Sequence, residues 1–375
     1  MLRRYRIIAA VYTLLLFCGR LGSIFLSFGR FTAAYGAAEG SFGEKTEAAL
    51  RQSLPLRDPL RRWKTKLLML GGGQEIDGIY FTGDGLIENL TVADETMAGQ
   101  NLTALAAFCR QREASVVLLP SACATSRHLL PEAALLFDQE GWLQEAAAQL
   151  SADCGSVING YPLLSEHESS RLFYRTDPRP TQLTGYLLYQ ALGETLDYIP
   201  YARERFSNTP LLYDCYGSLY TRWSYDKVRA DVVTALLPLQ DSRSYRMLHT
   251  APEGATAAYS SLYPTEAAAS ANGMDCVLGG LSARIDVIAQ GSRPRSLLLV
   301  GDENALCVIP YLALHYESIT FIDVTLCSEA MLDGLAAEQY DRTLLLYGTP
   351  TLLNDDLTSG LERLTGAAVP LTPAP

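Results

Sequence analysis

Five short apolar strings, each bounded by residues that favour turns or caps, constrain the fold of this chain more than any other feature. They are Ser115-Val-Val-Leu-Leu-Pro120, Ser156-Val-Ile-Asn159, Ser296-Leu-Leu-Leu-Val-Gly301, Ser318-Ile-Thr-Phe-Ile-Asp323 and Thr343-Leu-Leu-Leu-Tyr347. A strand with one wet face alternates polar and apolar residues, so a continuous apolar run predicts a strand covered on both faces. Helical segments are expected at about 95–112 and 139–152, and after Thr181 to about Leu196. Buried strands separated by helices predict an α/β fold with a parallel sheet flanked by helices. In such sheets ligands sit beyond the carboxyl ends of the strands. Three segments should meet there: Pro120-Ser-Ala122, the loop containing Asp177, and Gly301-Asp-Glu-Asn304.

The rest of the chain reads differently. Residues 31–66 are rich in Ala, Glu and Arg and read as amphipathic helix, broken by Ser53-Leu-Pro-Leu-Arg-Asp-Pro59. Gly71, Gly72 and Gly73 lack the Lys-Ser/Thr of a phosphate loop and read as a turn. Gly78-Ile-Tyr-Phe-Thr-Gly-Asp-Gly-Leu-Ile-Glu88 reads as a hairpin about its Gly-Asp-Gly turn. The stretch 200–292, dense in Tyr, Ser and turn residues, reads as an irregular, β-rich insertion.

Charge is segregated along the chain. The first 30 residues hold five arginines and no acid, around apolar runs Ile7–Cys18 and Leu21–Phe28, whereas the whole chain has a formal net charge of −11. A basic flank before an apolar run predicts a membrane segment with the remainder outside the cytoplasm. The expectation is therefore a single-pass signal-anchor over residues 1–30, with secretion after signal cleavage as the alternative. The acidic remainder argues against a nucleic-acid partner, which needs clustered Lys and Arg. The eight cysteines show no C-x-x-C spacing and predict no metal site. The sequence chooses no disulfide partners among them.

Several segments, in order, resemble the DHHW family of bacterial envelope proteins, related to the SGNH-hydrolase-like domains of alginate O-acetyltransferases. They are Leu54-Pro-Leu-Arg-Asp58, Gly78-Ile-Tyr-Phe81 with Gly85-Leu-Ile-Glu88, Tyr216-Gly-Ser-Leu-Tyr220, Leu278-Gly-Gly280 and Ser318-Ile-Thr-Phe-Ile-Asp323. The resemblance implies a helical stem over 31–70 and an SGNH-hydrolase-like domain over 71–375, with the insertion at 200–292. It also locates two altered motifs. The family's Thr-Asp-His-His-Trp-Thr stands here as Thr176-Asp177-Pro178-Arg179-Pro180-Thr181. Its Asp-Ser-Tyr-Ala-Asn-Ser stands here as Asp302-Glu303-Asn304-Ala305-Leu306-Cys307.

Acyl transfer of that kind needs a hydroxyl nucleophile, a base with a near-neutral pKa, and an acid that orients the base. Asp177 remains as orienter. Arg179 occupies the base position and cannot accept a proton, and Glu303 occupies the nucleophile position without a hydroxyl. Loss of nucleophile or base costs about 10⁴ to 10⁶ in rate. The replacements suggest instead an ion-paired cluster of Asp177, Arg179, Asp302 and Glu303. Of the four histidines, His128 lies best to replace the base, and His315 reads as packed on a helix. Cys307, Ser121 and Ser126 are weaker nucleophile candidates. Tyr213, Tyr216, Tyr220, Trp223 and Tyr225 offer either core packing or a sugar-stacking surface. The leading expectation is a non-enzymatic, membrane-anchored envelope protein that needs no cofactor or metal. Its partner would be an envelope glycan or a membrane-bound acyltransferase. The alternative is an esterase or O-acyltransferase of envelope polysaccharide that uses non-standard residues.

Overall fold

The computed structural model describes residues 57–70, 74–91, 95–223, 225, 227–267 and 273–366. The expected anchor, most of the stem, the triple-glycine turn and the tail lie outside the described residues. Among the described residues no helix is long and apolar enough to cross a membrane. The chain divides into two units, residues 1–72 with 223–226 and residues 73–222 with 227–375. In the first, helix Arg57–Leu70 begins with Pro59 in its first turn, where the missing N–H costs nothing. Its Thr65 hydroxyl donates to the Trp223 carbonyl at 3.0 Å.

The second unit is built on strands. Strands β1 (Glu75–Ile76), β2 (Ile79–Phe81) and β3 (Leu86–Glu88) form a small antiparallel sheet. Next come β4 (Ser115–Leu119) and β5 (Val157–Asn159), then β6 (Phe206–Cys215) and β7 (Asp231–Pro238), which pair only with each other. The remaining strands are β8 (Ser244–Thr250), β9 (Thr256–Tyr259), β10 (Arg284–Gln290), β11 (Ser296–Gly301), β12 (Ser318–Ile322) and β13 (Arg342–Gly348). The central eight-stranded sheet has the order β5-β4-β13-β11-β12-β10-β8-β9. Its five apolar strands are parallel; β10, β8 and β9 continue it antiparallel.

The apolar strands bury both faces as their composition requires. Val117, Leu119, Leu297, Leu299, Leu344 and Leu346 enter one core, beneath helix Gln182–Ala191 and the segment 305–316. Their neighbours Val116, Leu118, Leu298, Val300, Leu345 and Tyr347 enter the other, beneath helices Glu95–Arg112 and Gln139–Leu150. A disulfide between Cys109 and Cys154 ties those two helical segments together. One expectation is corrected. The 200–292 stretch is not wholly an insertion: from Ser244 onward it supplies three strands of the central sheet. Its β10, Arg284-Ile-Asp-Val-Ile-Ala-Gln290, alternates buried and less buried residues, the period of a strand with one covered face. Only the β6–β7 ribbon stands apart.

Candidate functional site

Beyond the carboxyl ends of β4, β11 and β13 lies a cavity of about 480 Å³, lined by Ser121, Asp177, Arg179, Asp302 and Glu303 among others. Gly301 ends β11 where an added Cβ would stand 2.2 Å from the Leu346 carbonyl oxygen, so a side chain there would force the strands apart. Asp302 then caps the short helical turn Glu303–Cys307. One oxygen accepts from the Asn304 N–H at 3.0 Å and the other from the Gly348 N–H at 2.8 Å, bridging the ends of β11 and β13. Burial pushes the Asp302 carboxyl upward against those bonds.

Asp177 and Arg179 come from the loop 171–181. The loop closes on itself through Tyr174 N–H to Arg179 O at 3.2 Å and Thr181 N–H to Leu172 O at 2.8 Å. It is held from outside by Asp231 on β7, which accepts from Arg175 N–H at 2.8 Å, Thr176 N–H at 2.9 Å and the Thr176 hydroxyl at 2.6 Å. Arg171 and Arg175 both pair with Asp84 of the β2–β3 hairpin. Asp177 accepts from Ser218 N–H at 2.9 Å. That approach needs Gly217, where an added Cβ would lie 2.3 Å from the Asp177 Cβ.

At the centre is the Arg179 guanidinium, 9% exposed. Its Nε and Nη2 meet both oxygens of Asp177 at 2.7 and 3.3 Å, a bidentate pair. Its Nη1 contacts Glu303 Oε1 at 2.8 Å and Asp275 Oδ1 at 3.1 Å. Burial works against both charges of the Arg179–Asp177 pair. The attraction of each for the other still holds the Asp177 carboxyl below its usual range and the guanidinium firmly protonated. Glu303 is the opposite case. Burial, with Asp177, Asp275 and Asp302 nearby, outweighs Arg179 and lifts its carboxyl to about 7.

The residues singled out in the sequence thus fall on one cavity, but not all of them touch. Asp177, Arg179 and Glu303 are ion-paired. Asp302 is not a partner of Arg179: backbone N–H groups occupy both its oxygens, and Asp275 takes the place expected for it. Asp275 and Asp231 escape a reading of the sequence because both lie in 200–292, where no motif marks them. The capping role of Asp302 is legible, since an Asp directly after a strand and before a helical turn is a favoured N-cap.

None of the four histidines lines the cavity. His128 is exposed. His249 is buried, with Nε2 2.6 Å from the Leu278 carbonyl oxygen. His315 stacks on Tyr198 and bonds Tyr189 OH at 2.8 Å, and burial depresses it to about 4. Cys307 is buried with its thiol pushed far up by burial, so it is no thiolate. Ser121 is at the cavity, where its hydroxyl accepts from Gln139 Nε2 at 2.8 Å. Among the described residues no group of His, Cys, Asp or Glu is arranged to hold a metal ion. Of the aromatic series, Tyr216 and Tyr220 pack against each other with ring centres 4.0 Å apart and planes tilted by 31°, flanking the Gly217-Ser218 contact to Asp177.

No protein-family model and no curated protein matches the chain. Among solved structures it is similar to PatB1 of Bacillus cereus with a sulfonyl adduct, with TM-score 0.62 and 17% identity, covering 77% of this chain and 98% of that one. A second PatB1 structure gives TM-score 0.58 and 14% identity, covering 74% and 98%. A DHHW family protein from Eubacterium siraeum gives TM-score 0.53 and 15% identity, covering 78% and 97%. The chain therefore shares the SGNH-like α/β fold of these proteins.

Proposed function

We propose that this chain is a non-enzymatic, SGNH-like protein of the bacterial envelope that uses the cavity at its strand ends to bind a glycan. The observation that carries the reading is the Arg179–Glu303 contact at 2.8 Å. A permanently charged guanidinium and a carboxylate stand beside Asp177, where acyl transfer would need an imidazole and a hydroxyl. The cavity hydroxyl of Ser121 meets the Gln139 amide at 2.8 Å and the Cys123 Sγ at 3.2 Å, and no imidazole. Supporting the glycan is the aromatic pair Tyr216–Tyr220, on either side of the cavity-lining Leu219, since sugars pack their C–H faces on aromatic rings. The envelope setting, the anchor over residues 1–30 and a membrane-bound acyltransferase as partner are inferred from the arginine-flanked apolar run and from analogy with proteins of this fold.

The test is turnover of a chromogenic acetyl ester and of an acetylated oligosaccharide by the purified chain. No rate above the uncatalysed background is expected. Turnover that Asp177→Ala abolishes would overturn the reading. Fractionation tests the anchor: deletion of residues 1–30 should release the chain from membranes.

A further inference from the structure

Helix Arg57–Leu70 inverts the usual arrangement of an amphipathic helix. A small polar residue is inside and large apolar ones are outside. Thr65 is fully buried, with its hydroxyl on the Trp223 carbonyl at 3.0 Å. Trp63 and Leu67 are 68% and 63% exposed. At 3.6 residues per turn, positions two before and two after Thr65 lie about 160° from it, one turn apart on the same side of the helix. Trp63 and Leu67 therefore form one stripe directed away from the Trp223 carbonyl. A single exposed apolar side chain needs no explanation, but an indole and a leucine stacked along one face make a patch with a direction.

The same geometry sets the flanks of the stripe. Lys64 and Lys66, both exposed, stand about 100° to either side of Thr65, so an ammonium group borders the stripe on each edge. Lys64 Nζ lies 5.1 Å from the centre of the Trp223 ring, which holds that lysine at its edge. In sequence the helix carries Arg57, Arg61, Arg62, Lys64 and Lys66 against Asp58 alone. The whole chain has a formal net charge of −11, so this positive charge runs against the composition.

An apolar stripe between two rows of cations fits the surface of an anionic bilayer. An indole settles at the boundary between headgroups and acyl chains, and lysines lay their stems along the apolar layer with their charges at the phosphates. A second copy of the same face fits poorly, because pairing stripe to stripe would set lysine rows against each other. The helix has 14 residues and many charges, so it would lie on a bilayer and not cross it. Its place in the chain agrees, since only residues 31–56 separate it from the anchor proposed over 1–30.

We propose that helix Arg57–Leu70 docks flat on an anionic lipid surface, with Trp63 and Leu67 in the headgroup–acyl boundary and the flanking lysines at the lipid phosphates. This rests on the anchor reading only for what brings the helix to the membrane. One short helix makes a reversible contact, so it adds a second, electrostatic attachment to a chain already held nearby.

Tryptophan quenching on the full-length chain, reconstituted into lipid vesicles, tests this. The vesicles are phosphatidylcholine alone or phosphatidylcholine with an equal part of phosphatidylglycerol, with bromine placed high or low on the acyl chains. The Trp63→Phe chain, measured in parallel, subtracts the signal of Trp142 and Trp223. In anionic vesicles Trp63 should be quenched more by the high bromines than by the low ones, and at least about 3-fold more than in phosphatidylcholine alone. Raising salt from about 0.05 to 0.5 M should reverse most of that difference. Lys66→Glu and Leu67→Ser should each lower the quenching several-fold, and Leu67→Ser should leave the melting temperature unchanged. Flotation with phosphatidylcholine vesicles reads the anchor separately. A chain that floats with them while Trp63 is quenched in neither lipid overturns the helix contact and leaves the anchor. Association with anionic vesicles alone, with Trp63 quenched, supports the helix contact and overturns the anchor, and association with neither lipid overturns both. Equal quenching in the two lipids would overturn the anionic surface as the partner. Trp63 emission that is blue-shifted before lipid is added and unresponsive to bromine would overturn it too, showing the stripe covered by protein, either a second copy or residues 31–56.

Discussion

The loop 171–181 and the turn 301–307 both deliver charged side chains to the same cavity, and they are held there by different means. The turn is local. Gly301 lets β11 close on β13, Asp302 caps residues 303–307, and the cap reaches one strand away to Gly348. The loop is remote. Its backbone hangs on Asp231, its arginines on Asp84, and its carboxylate on the Ser218 N–H. A local device survives changes elsewhere in the chain, whereas a remote one can be undone from a residue 55 positions away. Arg179 spans the two, with Asp177 on the loop side and Glu303 on the turn side.

The largest effect should come from removing that span. Arg179→Ala removes the guanidinium that meets both oxygens of the buried Asp177 and should cost about 3–5 kcal/mol in urea unfolding at pH 7. Arg179→Lys should recover only part, because one ammonium cannot repeat a bidentate contact and reach Glu303 as well. The difference between wild type and Arg179→Ala should persist through neutral pH and narrow only in acid. The folded-state pKa of Asp177 lies below its unfolded value, so its stabilising contribution is lost as pH falls through that lower pKa. A loss well under about 1 kcal/mol, the range of an exposed pair, would mean that the two regions are held in place without their ion pair.

Next in size, Asp231→Ala removes three hydrogen bonds and strands two N–H groups, for about 2–3 kcal/mol. Hydrogen exchange should quicken at 174–179 and stay unchanged at 303–307. Asp302→Ala should cost less, about 1–2 kcal/mol, since it removes one cap and one bridge to Gly348. Here exchange should quicken at Asn304 and Gly348 and stay unchanged at 174–179. Equal loosening of both segments in either variant would erase the distinction between remote and local support.

The same distinction explains what can be read from the sequence. The five buried strands announce themselves because a residue string with two covered faces has no polar position, and the cores on both faces are filled by alternate residues of those strings. The β2–β3 hairpin is legible from its Gly-Asp-Gly turn. Strands β8 to β10 read as insertion although β10 alternates, because β8 inverts the usual polarity, exposing Leu248 and burying His249. Asp177, Arg179 and Glu303 are placed together by the frame of two family motifs, not by any local signal. Asp275 and Asp231 cannot be placed at all: each acts on a segment 96 or 55 residues away, and no period or spacing encodes such a pairing. Asp302 misleads for a different reason. Its charge invites an ion pair, while its position before a helical turn calls for a cap, and the nearer partner wins.

The smallest effect separates the two regions by pH. Asp177 keeps its charge through the neutral range, but Glu303, lifted to about 7, takes up its proton there in the folded state. A carboxyl whose folded pKa exceeds its unfolded value favours the fold at low pH, and that advantage is lost as pH rises from about 4.5 through 7. Unscreened linkage would give about 1.4 kcal/mol for each tenfold gain in proton affinity on folding. The Glu303 side chain is 37% exposed, so solvent screening should leave a total nearer about 1 kcal/mol. Glu303→Gln cannot titrate and retains an oxygen for Arg179 Nη1. Urea midpoints at pH 5, 6, 7 and 8 should therefore converge, with the variant at a relative disadvantage at pH 5 that disappears by pH 8. Changes common to both proteins, such as histidine titration, cancel in the difference. Parallel curves across that range would place the Glu303 pKa back among ordinary carboxylates. The turn would then present a fixed negative charge to the cavity, as the loop does through Asp177, and the two regions would differ only in what holds them.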